Sequence, residues 1–352
     1  MNVAQTLAQT ITADQEMLSA QLVDRYFEVR PELNARFGES GKVKCREDAK
    51  YHFSYLIAAL QTGKPSLFLD YAQWTQQLLV NVGLPHDELR RYLAELRALL
   101  LERLAEPAQQ QTAKDFLGPA IAAVGHKPLI VASHLDGDSS VTRLAVDYLQ
   151  LLLQGDRMAA VGLVTNAVDE GLSIKSVYLD IFQPVQYEVG RLWHLGQVSV
   201  AQEHYCTAVT QWVMSRLYPM VFTEHRSDKR LVAACVSGDL HEIGLRMVTD
   251  LLELEGWDTC YLGASAPPAG IIETVAKQRS QVLALSATMG FHLGPLTQTI
   301  ELLRRDPALA NVKVIVGGRP FLVEPSLYQA IGADAMATNA EEASDIAEHL
   351  LG

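Results

Sequence analysis

The chain has 352 residues, of which 49% are hydrophobic and 20% charged, and a formal net charge of −12. This length predicts two or three domains, and the negative charge argues against nucleic acid as a partner, because duplex binding depends on Lys and Arg. The N-terminus lacks the features of a signal peptide and no apolar run could cross a bilayer, so we expect a cytoplasmic protein that does not bind membranes.

The first third of the chain predicts an all-α domain. Residues 1–104 carry apolar side chains at three- and four-residue intervals, which is typical of amphipathic helices. The following stretch, "AEPAQQQTAKDFLGPA", is rich in Gln, Ala and Pro. We interpret that stretch as a connection between domains.

A second helical block extends from about Ser139 to Phe222, and its short Gly-containing turns predict a four-helix bundle. From Lys229 onward, short aliphatic runs alternate with helical segments, which predicts a doubly wound parallel sheet of the Rossmann-like, flavodoxin-like type. The expected fold is therefore multidomain α and α/β. Its predicted domains are a helical N-terminal domain over 1–125, a helical bundle over 126–225 and a Rossmann-like domain over 226–352.

Three motifs fall where strands of this sheet are predicted to end. Asp239, His241 and Gly244 form an Asp-x-His-x-x-Gly pattern, which taken alone fits an ordinary helix-capping loop. Two further motifs follow at the ends of later strands: Ser286 with Thr288, and Gly317 with Gly318. Ligands of doubly wound sheets bind at the carboxyl ends of the strands, so the three motifs are predicted to meet at one site.

Together these motifs resemble the cobalamin-binding domain shared by methionine synthase, corrinoid methyl carriers and carbon-skeleton mutases. The resemblance implies that His241 is the lower axial ligand of cobalt, replacing the cofactor's own dimethylbenzimidazole, whose nucleotide tail is buried in the domain. Asp239 would then fix the imidazole, and Ser286 would extend the hydrogen-bonded chain. The glycines of the motifs would let the backbone approach the tail closely. Thr288 stands where many members have Leu.

The helical block before the sheet carries Trp193, followed ten residues later by Glu203 and His204. These residues also fit ordinary helix packing with an exposed polar pair. Their Trp-x9-Glu-His spacing resembles that of cobalamin photoreceptors related to the repressor CarH. The resemblance implies that Trp193 covers an adenosyl group, that Glu203 binds it, and that His204 ligates cobalt from above after photolysis. It favours adenosylcobalamin as the cofactor. CarH-type repressors begin with a basic DNA-binding domain, whereas the first hundred residues here predict an acidic-to-neutral helical domain, so we do not expect DNA binding.

The layout of an extra helical domain before these two domains is similar to that of the photocobilins, which also bind biliverdin. Residues 42–74 contain the residue types that a linear tetrapyrrole needs, although an ordinary helical domain would contain them too. The candidate biliverdin-binding residues are Arg46, Lys50, His52, Tyr55, Tyr71 and Trp74. Cys45 could form a thioether to the bilin, but we expect non-covalent binding.

The leading hypothesis is a non-enzymatic light sensor in which photolysis of adenosylcobalamin changes the domain packing or the oligomeric state. We expect a homo-oligomer, either a dimer or a light-dependent assembly, that signals to a separate effector protein. Two alternatives stay open: a corrinoid protein that carries methyl groups for a methyltransferase system, and a cobalamin storage protein.

Overall fold

Residues 2–126, 132–221 and 227–352 are described by the computed structural model. They divide into two units, of which the first consists of residues 1–129 together with the short segments 289–294 and 323–327. Within residues 2–126 this unit is helical, with α1 Val3–Val29, α2 Pro31–Thr62, α3 Pro65–Asn81, α4 Glu88–Arg103 and α5 Pro107–Ala123.

The boundaries of these helices follow from the local sequence. Asn2 and Gln5 form a capping box that starts α1. Pro31, Pro65 and Pro107 occupy the first turns of α2, α3 and α5, where a missing N–H removes no helical hydrogen bond. Apolar side chains from all five helices form the core of the unit, among them Leu22, Phe53, Leu60, Phe68, Leu93 and Leu117.

The interpretation of residues 105–120 as a connection between domains is wrong. Most of this stretch belongs to α5, a helix of 17 residues. Its Ala and Gln residues are good helix formers, and Pro107 starts the helix rather than breaking it. Phe116 and Leu117 are buried, so one face of α5 contributes to the core. Composition misled the prediction because most apolar residues of this helix are alanines and few have large side chains.

The second unit consists of residues 130–288, 295–322 and 328–352. Its helical part contains α6 Ser140–Gln154, α7 Arg157–Asp169, α8 Ile174–Ser176, a π-helical segment Val177–Phe182, α9 Gln183–His194, α10 Val200–Leu217 and a 3₁₀ turn Tyr218–Met220. Because α8, the π-helical segment and α9 are continuous, residues 132–221 form four helices, as predicted for the bundle. The predicted end of the bundle, at residues 222–225, lies outside the described residues.

The rest of the second unit is an α/β domain with five parallel strands in the order β2-β1-β3-β4-β5. The strands are β1 Arg230–Cys235, β2 Asp258–Tyr261, β3 Val282–Ser286, β4 Lys313–Gly317 and β5 Ala335–Ala337. The helices of the second half are α11 Ile243–Leu254, α12 Pro268–Gln278, α13 Leu293–Arg305, α14 Arg319–Val323, α15 Leu327–Ala330 and α16 Ala340–Leu351, with a 3₁₀ turn Gly290–His292. The predicted fold class, multidomain α and α/β with a flavodoxin-like sheet, is confirmed.

Among the residues that the structure describes, no helix has the length and apolar character needed to cross a bilayer.

The bundle contacts the α/β domain through a buried carboxyl group. Tyr178, in the π-helical segment, donates a hydrogen bond of 2.8 Å to Asp250 Oδ2 on α11. Burial raises the pKa of Asp250 to about 6, and this effect outweighs the opposing influence of Tyr178 and of Arg246, whose Nε lies 3.9 Å away. The carboxyl group is therefore easier to protonate in the folded protein than in the unfolded chain.

Replacing Asp250 with Asn should change how stability depends on pH. The folded pKa lies above the unfolded value, so ionisation of Asp250 costs stability as the pH rises through that interval. The free energy of unfolding of Asp250→Asn, relative to that of the wild type, should rise by about 2–3 kcal/mol as the pH increases from about 4 to 7. Urea unfolding of both proteins at several pH values measures this difference. A difference that does not vary with pH would contradict it.

Candidate functional site

The three sequence motifs meet at one edge of the sheet. Cys235, at the end of β1, stands in register with Ser286 at the end of β3, and Ser286 in turn with Gly317 at the end of β4. The strand order reverses between β1 and β3, because β2 lies on one side of β1 and β4 on the other side of β3. Ligands of such sheets bind at this switch point. The prediction that the motifs share one edge thus agrees with the register.

The loop after β1 contains a carboxylate–imidazole pair. Asp239 is fully buried, and its Oδ1 lies 2.9 Å from Nδ1 of His241 and accepts a hydrogen bond of 3.1 Å from the His241 backbone N–H. The imidazole itself is 56% exposed. With Nδ1 directed at the carboxylate, Nε2 is the ring nitrogen that can bind a metal.

Groups in both domains of the second unit affect the pKa of His241. The hydrogen bond to Asp239 raises the pKa of His241, while burial acts in the opposite direction. The negative charge of Glu203, on α10 of the bundle, adds a smaller upward effect. The charge of Glu203 therefore acts on His241 in the same direction as Asp239 does.

Asp239 has a second support that the sequence did not reveal. Its Oδ2 accepts a hydrogen bond of 2.7 Å from the backbone N–H of Thr288. The Ser286 side chain, predicted to extend the hydrogen-bonded chain, opposes the larger effect of burial, which raises the pKa of the Cys235 thiol. No side-chain pattern could have identified Thr288 as a donor, since a backbone amide carries no signal in the sequence.

The glycines of the motifs differ in their surroundings. At Gly244, on the first turn of α11, an added Cβ would have no protein atom within 4 Å, so the space beside this backbone is open. At Gly317 an added Cβ would lie 3.4 Å from the carbonyl oxygen of Ala337. Open space at Gly244 and an imidazole held by a buried carboxylate both fit a bulky cofactor whose metal binds His241.

Gly318 is required by the fold itself. Its φ of +110° is strained for any other residue, and an added Cβ would lie 2.0 Å from the carbonyl oxygen of Ala287. This requirement comes in addition to the predicted role of Gly318 in letting the backbone approach the cofactor tail. Gly318→Ala should lower the free energy of unfolding by about 3 kcal/mol or more, without any cofactor present. Thermal unfolding of the cofactor-free variant checks this, and wild-type stability would refute it.

Trp193, Glu203 and His204 lie on the bundle. Trp193 is half-buried near the end of α9, Glu203 is half-buried in the first turn of α10, and His204 is exposed. Glu203 Oε1 accepts a hydrogen bond of 3.3 Å from Thr207, and Glu203 Oε2 lies 3.4 Å from Nε2 of His204. Of these three residues, Glu203 is the one whose charge contributes to the pKa of His241.

Polar contacts that the sequence did not predict join the bundle to the segment that follows His241. Gln211 on α10 donates a hydrogen bond of 2.7 Å to Glu242 Oε1, and Tyr261 donates one of 3.0 Å to Glu242 Oε2. Arg246 contacts the carbonyl of Gln211 at 3.3 Å. These residues hold the segment that directly follows His241. Their pairing spans distant parts of the chain, so only the fold could reveal it.

The six candidate biliverdin-binding residues lie in the first unit. Arg46 Nη2 is 3.0 Å from Asp24, and Lys50 Nζ is 2.7 Å from Glu16, so both cations pair with acids of α1.

The other four candidates, His52, Tyr55, Tyr71 and Trp74, carry aromatic rings. His52 is buried, and burial lowers its pKa to about 4. Its Nδ1 is 3.0 Å from the hydroxyl of Tyr71, whose ring stacks on Tyr55 at 3.7 Å. Trp74 is half-buried on α3. The structure thus joins His52, Tyr55 and Tyr71 in one cluster and places Arg46 and Lys50 in separate ion pairs. Cys45 is a half-buried free thiol, 4.0 Å from Tyr92.

Among residues 2–126, 132–221 and 227–352, no group of three or more His, Cys, Asp or Glu side chains is arranged to hold a metal ion.

Comparison with known proteins identifies both domains of the second unit. Residues 229–347 and residues 144–218 each match a family model described as a B12 binding domain. Dimethylamine corrinoid protein 3 of Methanosarcina mazei is 34% identical over 121 residues, which is 34% of this chain and 71% of that protein. Dimethylamine corrinoid protein 1 of Methanosarcina acetivorans is also 34% identical, but the match covers 56% of its length. The chain thus spans little more than half the length of most of these curated relatives.

A solved structure shows the same fold. The monomethylamine corrinoid protein of Methanosarcina barkeri superposes with a TM-score of 0.54 and 22% identity, covering 60% of this chain and 100% of that protein. The helices of the first unit, α1 to α5, precede both ranges that match the B12-binding models.

Proposed function

Because the chain belongs to the corrinoid protein family, of which dimethylamine corrinoid protein 3 is a member, we propose that it binds cobalamin with His241 as the lower ligand of cobalt. The observation that carries this proposal is the contact of 2.9 Å between His241 Nδ1 and the buried Asp239. A carboxylate on one imidazole nitrogen fixes the tautomer and raises the donor strength of the other. The same contact directs Nε2 away from the carboxylate.

The remaining motif residues would accommodate the nucleotide tail. Gly244 leaves open space beside the first turn of α11. Gly317 ends β4, which pairs with β3. The backbone N–H of Thr288 donates a hydrogen bond to Asp239. In this proposal the protein replaces the benzimidazole of the cofactor with its own imidazole and keeps the displaced tail inside the α/β domain.

When bound, cobalamin supplies a cobalt–carbon bond. A carrier would use this bond to deliver a methyl group, whereas in a sensor light would break it. The names of the relatives favour the first of these functions, a corrinoid protein that carries methyl groups for a methyltransferase system. A separate methyltransferase would then be the partner. Such a protein must leave the side of the corrin opposite His241 accessible to that partner.

The light sensor is a second candidate, and Glu203 favours it. The charge of this carboxylate contributes to raising the pKa of His241, and Glu203 follows the half-buried Trp193 by ten residues. A flat ring offers apolar contact, and a carboxylate accepts hydrogen bonds from ribose hydroxyls, so the two side chains suit an adenosyl group. His204 would be the residue that takes the upper position after photolysis. The output would be a changed oligomeric state read by an effector protein.

One experiment with the isolated chain separates the two candidates. The affinities for methylcobalamin and adenosylcobalamin are measured in the dark for wild type and Glu203→Gln, and size-exclusion profiles are compared before and after green light. A sensor should prefer adenosylcobalamin, lose that preference in the variant, and change its size under light. A carrier should bind both forms equally and keep the same size.

Biliverdin binding by the first unit is a further part of the sensor proposal. Adding biliverdin to the full chain should give a red-shifted, protein-bound absorption band that weakens in Arg46→Ala and Lys50→Ala. Lys44→Ala is the matched control, since Lys44 pairs only with acids of its own helix in the contacts described. A spectrum equal to that of free biliverdin would remove the bilin from the proposal.

A further inference from the structure

Two loops that carry motif residues continue into segments that group with the first unit. Residues 289–294 directly follow Thr288, and residues 323–327 follow Gly318 after the short helix α14. By their contacts both segments belong with residues 1–129 rather than with the sheet. Contacts in the first unit therefore hold the chain just beyond two of the three cobalamin motifs.

The first segment is held by Tyr55 of α2. Its hydroxyl donates to the sulfur of Met289 at 2.9 Å, and its ring meets Phe291 edge-on at 5.3 Å and 83°. Gly290 is buried, and an added Cβ at this position would lie 3.1 Å from the ring of Tyr55. The backbone N–H of Met289 also donates to Nδ1 of the buried His292 at 3.2 Å. This segment is therefore fixed by both packing and hydrogen bonds.

The second segment is held where α2 meets α3. Lys64 Nζ donates to Ser326 Oγ at 2.8 Å and lies 3.3 Å from Glu324 Oε1. Ser66 donates to the other carboxylate oxygen of Glu324 at 2.9 Å. Ser326 also donates to Glu324 Oε1 at 2.7 Å, so three side chains meet at Glu324. Charge-assisted hydrogen bonds of this kind are stronger than neutral ones.

Each segment leads directly back to a motif. Thr288, the residue before Met289, donates its backbone N–H to Asp239, which in turn holds His241. The other loop begins at Gly317, whose carbonyl accepts a hydrogen bond of 3.1 Å from the N–H of Ala287. Movement of either segment would therefore act on residues that hold the imidazole or border the tail.

We propose that Tyr55 and Lys64 are positioning residues for the cofactor: they fix the loops after β3 and β4 and so slow the release of cobalamin. This inference rests on the proposed function. The first unit would then have a role that requires neither light nor biliverdin. In either a carrier or a sensor, the helices α2 and α3 would set how long the cofactor stays bound.

The test compares Tyr55→Ala and Lys64→Met with the control Lys44→Met, a surface lysine of α2, the helix that carries Tyr55. Hydrogen exchange is followed in the cofactor-free full chain, and the release of hydroxocobalamin is followed in the loaded chain. We expect faster exchange at residues 288–292 in Tyr55→Ala and at residues 319–327 in Lys64→Met. Each variant should release the cofactor about tenfold faster, the effect of losing about one hydrogen bond.

The outcomes are distinguishable. Unchanged exchange in both variants, or faster exchange with unchanged release, would overturn the positioning role. Should Tyr55→Ala not fold, Tyr55→Phe keeps the ring and removes the hydroxyl that contacts Met289, and Lys64→Met tests the other loop. If the wild-type chain itself binds no hydroxocobalamin, the proposed function fails, whereas the exchange differences would still report whether the two loops are anchored.

Discussion

Replacing His241 with Ala should remove the lower nitrogen ligand of cobalt. We expect the absorption spectrum of bound hydroxocobalamin to change to that of a cobalt without a nitrogen base below it. The affinity should fall at least about 10- to 100-fold, the loss seen when only the hydrogen-bond partner of a metal-binding His is removed. Spectral titration of both proteins at one pH measures the two effects together.

The matched control for this variant is His86→Ala. His86 is an exposed histidine between α3 and α4, in the first unit, and it is not part of any cobalamin motif. Its removal should leave the spectrum and the affinity unchanged. If His241→Ala kept the wild-type spectrum, another residue or the cofactor's own benzimidazole would be the lower ligand, and the role of the Asp239–His241 pair would have to be abandoned.

Gly244→Leu should prevent the nucleotide tail from entering the α/β domain. The leucine side chain would fill space that is open in the protein, so it clashes with no protein atom near its Cβ. Overfilling a binding site costs about 2–3 kcal/mol, which predicts an affinity about 30- to 150-fold weaker. Isothermal titration with hydroxocobalamin measures the loss.

Stability must be measured on the same variant, because a misfolded protein would also fail to bind. Gly244 lies in a helix, where Leu is favoured over Gly by up to about 1 kcal/mol, so the thermal unfolding temperature should not fall. Gly118→Leu is the control: Gly118 is also a helical glycine with nothing within 4 Å of an added Cβ, but it lies in α5. Normal cobalamin binding by Gly244→Leu would show that the tail lies elsewhere.

The sequence predicted the sheet better than the connections. Every predicted aliphatic run from residue 229 onward contains a strand, because buried parallel strands are short, nearly continuous apolar segments bounded by polar loops. The convergence of the motifs followed from one rule about the carboxyl ends of parallel strands. By contrast, α5 was taken for a connection, since its buried face rests on few apolar residues such as Phe116 and Leu117.

Contacts between distant segments were beyond the reach of sequence patterns. The support of Asp239 by the Thr288 backbone involves an amide that every residue except proline has. The need for Gly318 comes from the carbonyl of Ala287, 31 positions earlier in the chain, which only the folded sheet brings close. The pairing of Arg46 and Lys50 with acids of α1 likewise depends on how two helices pack, and not on the sequence of either one.

Electron paramagnetic resonance of the protein loaded with cob(II)alamin tests the central claim most directly. The unpaired electron of this form couples to the nitrogen of the axial base, so labelling only the histidines of the protein with ¹⁵N reports whose nitrogen it is. If the His241 imidazole binds cobalt, each three-line pattern from ¹⁴N becomes a two-line pattern in the labelled wild type, and this nitrogen coupling is absent from His241→Ala. A three-line pattern that survives the labelling would contradict the account, because the coupled nitrogen would then belong to the benzimidazole of the cofactor.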